Sequence, residues 1–279
     1  MGVFILEGEQ MKDFLARQKQ EGFFSIRLKS AAGKLTASQL LSIHELAEKF
    51  GAGFVNLTSR QEISIPFVRE EDFGAIEKFC AIHELKISPL GKIFKQVTAC
   101  QGTQSCPSGV IDSPKIACEL ESRHGGQKLP NKITCAVTGC PNNCMKVEGN
   151  DIGIKGAVEP KFFQDKCIYC GACARVCRVG AIEVDRTKKL WTIDHNKCIN
   201  CGRCVKACGK SALSGAVGFK IYFTGKDFLP LIHDEERLYE VVDAALKYFS
   251  EHAKERERLS KMLERLGTDE FAKKISSQN

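Results

Sequence analysis

The chain has 279 residues, 43% hydrophobic and 27% charged, the composition of a folded globular protein rather than a disordered one. No apolar run approaches the roughly 20 residues needed to cross a bilayer, and the opening MGVFILEGEQMKDFLARQ turns acidic before a cleavage site could fall; a cytoplasmic protein with no membrane partner is expected. The formal charge of +7 is spread along the chain rather than gathered in a tail, which weighs against nucleic acid as a partner.

In chain order, residues 22–28 (GFFSIRL) read as a strand. Thr36 and Gln39 have capping-box spacing and open a helix to about Phe50, with Leu40, Leu41, His44, Leu46 and Ala47 at helical spacing. Gly51 and Gly53 end it. Residues 54–57 and the alternating 63–68 read as two more strands, 70–84 as a second helix and 96–99 as a fourth strand. This βαββαβ order predicts a ferredoxin-like half-domain over 1–85 within an α+β protein. Residues 100–160, rich in Gly, Pro, Asn and Cys, are expected to hold only short regular structure. Residues 161–215 read as an insert of two similar halves, too small for a core of its own. Residues 218–223 resume the interrupted α/β domain (86–160 and 216–279), an amphipathic helical stretch follows over 234–265, and the last dozen residues are expected to fray.

Twelve of the fifteen cysteines fall into four groups: Cys100-x5-Cys106, Cys140-x3-Cys144, Cys167-x2-Cys170-x2-Cys173-x3-Cys177 and Cys198-x2-Cys201-x2-Cys204-x3-Cys208. A disulfide framework belongs to small secreted chains, and the duplicated four-cysteine spacing disfavours zinc knuckles. The last two groups carry the bacterial ferredoxin pattern, in which the distant fourth cysteine crosses to the other cluster. Cys167, Cys170, Cys173 and Cys208 are therefore assigned to one [4Fe-4S] cluster, and Cys198, Cys201, Cys204 and Cys177 to a second. The proline that commonly follows the fourth cysteine is Arg178 in one half and Gly209 in the other. The first two groups supply four more thiolates at spacings that suit a third cluster held between two loops, with Gly139 and Pro141-Asn142-Asn143 forming a tight turn. Three clusters at about −2 each would bring the charge near neutrality. Cys80, Cys118 and Cys135 read as packing residues, and the histidines lack metal-site spacing.

The segments TACQGTQSCPSG and CAVTGCPNNC resemble the sulfite and nitrite reductase family that couples sirohaem to a [4Fe-4S] cluster, as do FSIRL (24–28), LTSRQEISI (57–65) and KLPNKI (128–133). The resemblance implies that Cys100, Cys106, Cys140 and Cys144 bind the cluster and that Cys144 bridges to the sirohaem iron. It further implies that Gln61 and Asn142 help hold the cofactor, and that Arg27, Arg60 and Lys132 face the anionic substrate. Where the family commonly has a second lysine, two residues beyond the first, this chain has Thr134. The implied activity is six-electron reduction of sulfite to sulfide, with nitrite as the alternative substrate. A relay subunit that keeps its clusters without sirohaem is the alternative from another class.

No GxGxxG follows a predicted strand, so electrons are expected from a separate protein or subunit. With one half where larger members of the family have two, the chain is similar to an anaerobic-type subunit with its own ferredoxin insert. That similarity implies an iron-sulfur or flavin-containing donor subunit, or a homo-oligomer, as partner.

Overall fold

The computed structural model describes residues 8–276; the apolar part of the N-terminal segment, residues 1–7, lies outside them. The first sheet contains β1 (Ala16–Arg17), β2 (Phe23–Leu28), β3 (Asn56–Leu57) and β4 (Ile63–Arg69) in the order β1-β2-β4-β3, all antiparallel. Helices α1 (Ala37–Phe50) and α2 (Phe73–Ile82) cover one face. Both bonds of the Thr36–Gln39 capping box are formed. The buried stripe of α1 is Ser42, Ile43, Leu46 and Ala47, whereas Leu40 and Leu41 remain 53% and 67% exposed. The apolar spacing drawn through Leu40, Leu41 and His44 thus marks the outer side of the helix. Cys80 is buried on α2, which pushes its thiol up to about 12.

The half-domain's last strand is displaced from its predicted position. Lys29 N donates to Lys86 O (2.8 Å) and Ser88 N to Arg27 O (2.6 Å), around an antiparallel bridge between Leu28 and Ile87. Residues 86–88 therefore complete the βαββαβ path, while β5 (Thr98–Ala99) joins the second sheet, parallel to β6 (Cys135–Thr138). A short apolar run satisfies its backbone groups wherever an open edge lies, and periodicity does not say which sheet offers one.

The second sheet runs β10-β7-β6-β5, with β7 at Ile152–Phe162 and β10 at Leu213–Phe223. Two long elements fall where only short structure is expected: α3 (Ser113–His124) and the eleven-residue β7. Helix α3 starts on an Asp112 cap whose side chain accepts from Lys115 N, with a proline in its first turn. It buries Ile116, Ala117 and Leu120. His124 at its end meets Asp243 at 2.7 Å, a carboxylate contact the spacing of the histidines does not suggest.

β7 and β10 pair from Ile152↔Phe223 to Phe162↔Leu213, so the residues between them leave and return on one rung. They contain α4 (Ala172–Arg175), α5 (Arg203–Lys206) and the hairpin of β8 (Ile182–Asp185) with β9 (Leu190–Ile193). The insert's core is slight: its hydrophobic cluster has Ile182, Cys204 and Leu213 as buried members, with partly buried neighbours around them.

Helix α6 (Glu235–His252), capped by Asp234, packs on the second sheet, followed by α7 (Leu259–Leu266) and α8 (Thr268–Ser276). The fraying expected for the last dozen residues is corrected up to Ser276, since Phe271 and Ile275 on α8 are fully buried. Phe271 meets Phe223, Phe228 and Tyr248 edge-on, which holds the terminal helix against the sheet. No helix among the described residues is long and apolar enough to cross a membrane.

Candidate active site and iron-sulfur centres

Three cavities gather the twelve grouped cysteines. Cys100, Cys106, Cys140 and Cys144 line a cavity of about 490 Å³ at the ends of β5 and β6. Cys167, Cys170, Cys173 and Cys208 line a second of about 220 Å³. Cys177, Cys198, Cys201 and Cys204 line a third of about 20 Å³. All fifteen cysteines are free thiols. Among the described residues no three His, Cys, Asp or Glu side chains converge as ligands of one ion; a cubane takes each thiolate on a different iron, so its ligands stand further apart.

The donor sets fit such clusters. Backbone N–H groups point at sulfur from Gly139 to Cys100 (3.0 Å), Tyr169 to Cys167 (3.4 Å), Ala181 to Cys177 (3.2 Å) and Asn200 to Cys198 (3.4 Å). Gly171 and Gly202, each following the second cysteine of its group, have φ of 73° and 69°. These left-handed positions turn the chain into the short helices bearing Cys173 and Cys204. Burial pushes the Cys100 thiol up, yet hydrogen bonds from Ser113, Gly139, Gly102 and Thr138 bring it below its ordinary value. Trp191 supplies an orphan donor. Its Nε1 is buried without a hydrogen-bond partner in the wall of the second cavity. It lies close enough to Cys173 to oppose the burial that raises that thiol, and its ring stacks on Phe162 at 4.3 Å.

Glycines pack the first cavity tightly against the strands behind it. A Cβ on Gly156 would stand 2.5 Å from Gly139 O, and one on Gly139 would stand 2.8 Å from Gly102 Cα. In the GCPNNC turn, Asn143 at φ 55° donates to Cys140 O (3.1 Å) and accepts from Val147 N (3.0 Å), which sets Cys144 and Asn142 facing the cavity.

Gln61 and Arg60 bind the half-domain to this centre. The TSRQ turn is closed by Thr58, whose hydroxyl accepts from Arg60 N (3.3 Å) and Glu62 N (3.0 Å). Gln61 donates to Ala99 O and accepts from Ala99 N, both at 2.9 Å, beside Cys100 in the cavity wall. Arg60 reaches behind it, donating to Gln96 O (3.1 Å), Cys135 O (2.7 Å) and Asn150 Oδ1 (3.1 Å). Burial lowers its guanidinium against the opposing pull of Cys135 and Glu62.

Of the residues expected at the site, Gln61, Asn142, Cys144 and the other three cysteines share the first cavity, whereas Arg27, Arg60 and Lys132 do not line it. All three act electrostatically on Lys95. Burial lowers the Lys95 ammonium; Glu62 opposes this, and Arg27, Lys132 and Arg60 reinforce it. Arg27 stands 3.8 Å from the buried Glu62. Thr134 is tied to the buried Asp151 through its N–H (2.8 Å) and hydroxyl (2.7 Å), and Arg258 donates to the same carboxylate at 2.8 Å. The missing second lysine is thus replaced by a threonine hydrogen-bonded to a buried carboxylate.

Sequence reasoning does not single out Lys34, Lys95 or Trp191. Lys34 lines the first cavity and contacts Gln104. Lys95, five residues before Cys100, is the detectable one. Nothing local marks Trp191, whose role depends on a hairpin crossing the cysteine loops.

Four-thiol cavities on this α+β scaffold are the arrangement found in iron-sulfur oxidoreductases. The chain matches the family model described as nitrite and sulphite reductase 4Fe-4S domain over residues 91–279, and that of the nitrite/sulfite reductase ferredoxin-like half domain over 16–81. It belongs to the nitrite and sulphite reductase family. Coenzyme F420-dependent sulfite reductase of Methanocaldococcus jannaschii is 29% identical, over 92% of this chain and 43% of its own. One of the subunits of the anaerobic sulfite reductase of Salmonella typhimurium is 30% identical, over 60% of this chain and 53% of its own. The chain thus spans about half the length of these two relatives. A dissimilatory sulfite reductase I structure superposes with a TM-score of 0.73 at 19% identity, over 92% of this chain and 70% of that one, a likeness of fold.

Proposed function

We propose that the chain is the catalytic subunit of a sirohaem-dependent sulfite reductase of the anaerobic type, holding three [4Fe-4S] clusters. The observation that carries this reading is the first cavity, where Cys100, Cys106, Cys140 and Cys144 meet on two loops together with Gln61, Asn142 and Lys34. A relay needs thiolates, but it does not need so large a cavity beside one quartet. The two relatives above are sulfite reductases by name, which fits sulfite as the substrate.

Cys144, exposed on the cavity, would hold the cluster and sirohaem together, and Lys34 would face a macrocycle carboxylate. Bound there, sirohaem would supply an iron at which the anion is reduced, and the clusters would supply electrons singly. The chain's own part is electrostatic. Arg27, Lys95 and Lys132 concentrate positive charge for oxyanion oxygens, and the lowered Lys95 ammonium gives up a proton more readily than an ordinary lysine. Arg60 spends its donors on carbonyls and acts as a fixed charge. A homo-oligomer is one assembly that fits the reading. An iron-sulfur or flavin-containing subunit fits as the electron source.

Anaerobic purification with iron, acid-labile sulfide, sirohaem and the visible spectrum measured on one sample tests the proposal. About thirteen irons and one sirohaem per chain are expected, followed by faster turnover of sulfite than of nitrite. About twelve irons with no macrocycle, after coexpression with sirohaem synthesis, would make the chain an electron-transfer subunit.

A further inference from the structure

The three cysteine cavities are strung along one strand. On β7, Gly156 backs onto Gly139 in the wall of the first cavity. Two residues on, Val158 N donates to Asn200 O (2.7 Å), and both residues line the cavity of Cys177, Cys198, Cys201 and Cys204. Four residues further, Phe162 lines the cavity of Cys167, Cys170, Cys173 and Cys208. At about 3.3 Å per strand residue, Gly156 and Phe162 stand about 20 Å apart. The quartet containing Cys170 is therefore the outermost, and the one containing Cys198 lies between it and the first cavity.

That outer end is both open and basic. Cys170 is exposed, and Ile168 beside it is 61% exposed. The Arg175 and Arg186 guanidiniums are pinned there, donating to Cys170 O at 3.0 and 2.6 Å. Lys166 precedes the loop, and Lys210 lines the same cavity. Residues 163–212, between β7 and β10, carry ten lysines and arginines against four acidic residues, a formal +6 that two clusters at about −2 each reduce to about +2, so the positive charge that matters is the local rim around Cys170.

We propose that electrons enter at the Cys167–Cys170 loop from an acidic one-electron carrier protein. It would dock on Ile168 and the cationic rim of Lys166, Arg175, Arg186 and Lys210. The proposal rests on reading the quartets as [4Fe-4S] clusters. Each transfer oxidises the carrier by one electron and reduces the outer cluster by one, with no bond made or broken and no proton moved. An apolar residue beside a redox ligand at the centre of the rim suits a protein carrier, whereas nucleic acid would have no use for the cluster. Complementary charge speeds such encounters by about 10- to 1,000-fold and makes them sensitive to salt.

The test follows bleaching of the holoprotein in an anaerobic stopped-flow instrument, with a reduced acidic bacterial ferredoxin as the probe. The second-order rate constant is expected to fall about tenfold or more as salt screens the charges. The double variant Lys166→Glu/Lys210→Glu should lose about tenfold in rate at low salt and most of the salt dependence. Excess dithionite should still reduce that variant to the same extent as wild type at equilibrium, and Lys247→Glu, an exposed lysine on α6, should behave as wild type towards the carrier. Fully loaded protein whose reduction is indifferent to salt, to the double variant, or to replacing the carrier with a basic one would overturn the docking proposal alone. Protein with zinc or no metal in the insert would overturn the cluster reading and the proposal with it.

Discussion

Arg60 shows how a residue's chemistry is redirected by what it touches. Arginine in a TSRQ segment invites a substrate-facing role, yet its fork holds Gln96 O and Cys135 O, which face away from solvent. Arg60→Ala should strip both carbonyls of their guanidinium donors, leaving Cys135 O the longer bond from Thr98 Oγ1 (3.5 Å), and cost about 2–3 kcal/mol, measured by thermal unfolding of the holoprotein. Arg60→Lys should not restore the loss, because one ammonium cannot span the same acceptors. Trp191 acts through a single N–H. Trp191→Phe keeps the stack on Phe162 while removing the donor near Cys173, so the outer cluster's reduction potential should fall. A redox titration followed by electron paramagnetic resonance would read that shift, and an unchanged potential would mean that the indole only packs.

At the scale of elements, β7 joins the second sheet to the insert, and its glycines make the junction close. Gly156→Ala would drive a Cβ toward Gly139 O. The expected outcome is loss of about four irons per chain from the first cavity, with the two insert clusters retained, as read by iron counting and electron paramagnetic resonance. Helix α8 is a structural lock. Phe271→Ala should destabilise by about 3–5 kcal/mol, since Phe271 is fully buried against Phe223, Phe228 and Tyr248; chemical denaturation followed by helix signal checks this. The Thr36–Gln39 box made the start of α1 legible because capping is settled within four residues. Asp112, Ser113 and Pro114 carry an equally local signal for α3 amid the cysteines. Placement of β5 was not legible, because a two-residue strand is defined by its neighbour.

Across the whole molecule, stability is unevenly shared. Two extensive hydrophobic cores hold the half-domain and the second sheet, while the insert buries little and depends on what its cysteines hold. Removing iron under anaerobic chelation should open residues 163–212 to protease while the body, including the β7–β10 pairing up to its last rungs, stays intact. Mass spectrometry of the fragments would show it, and uniform digestion would mean that the clusters support the entire fold.

The cysteine groups, the capping box and the alternation of strands are written in local spacing, so the chain itself determined its α+β class and its supply of thiolates. Only the tertiary structure decided that Arg60 turns its fork onto Gln96 O and Cys135 O, and that Thr134 answers a buried Asp151. It also decided that β7 sets the order of the three cavities. The reason is one of range. Spacing governs what residues a few positions apart can do together, whereas the meeting of residue 60 with 135, or of 158 with 200, depends on which edges and faces remain open once every element has packed.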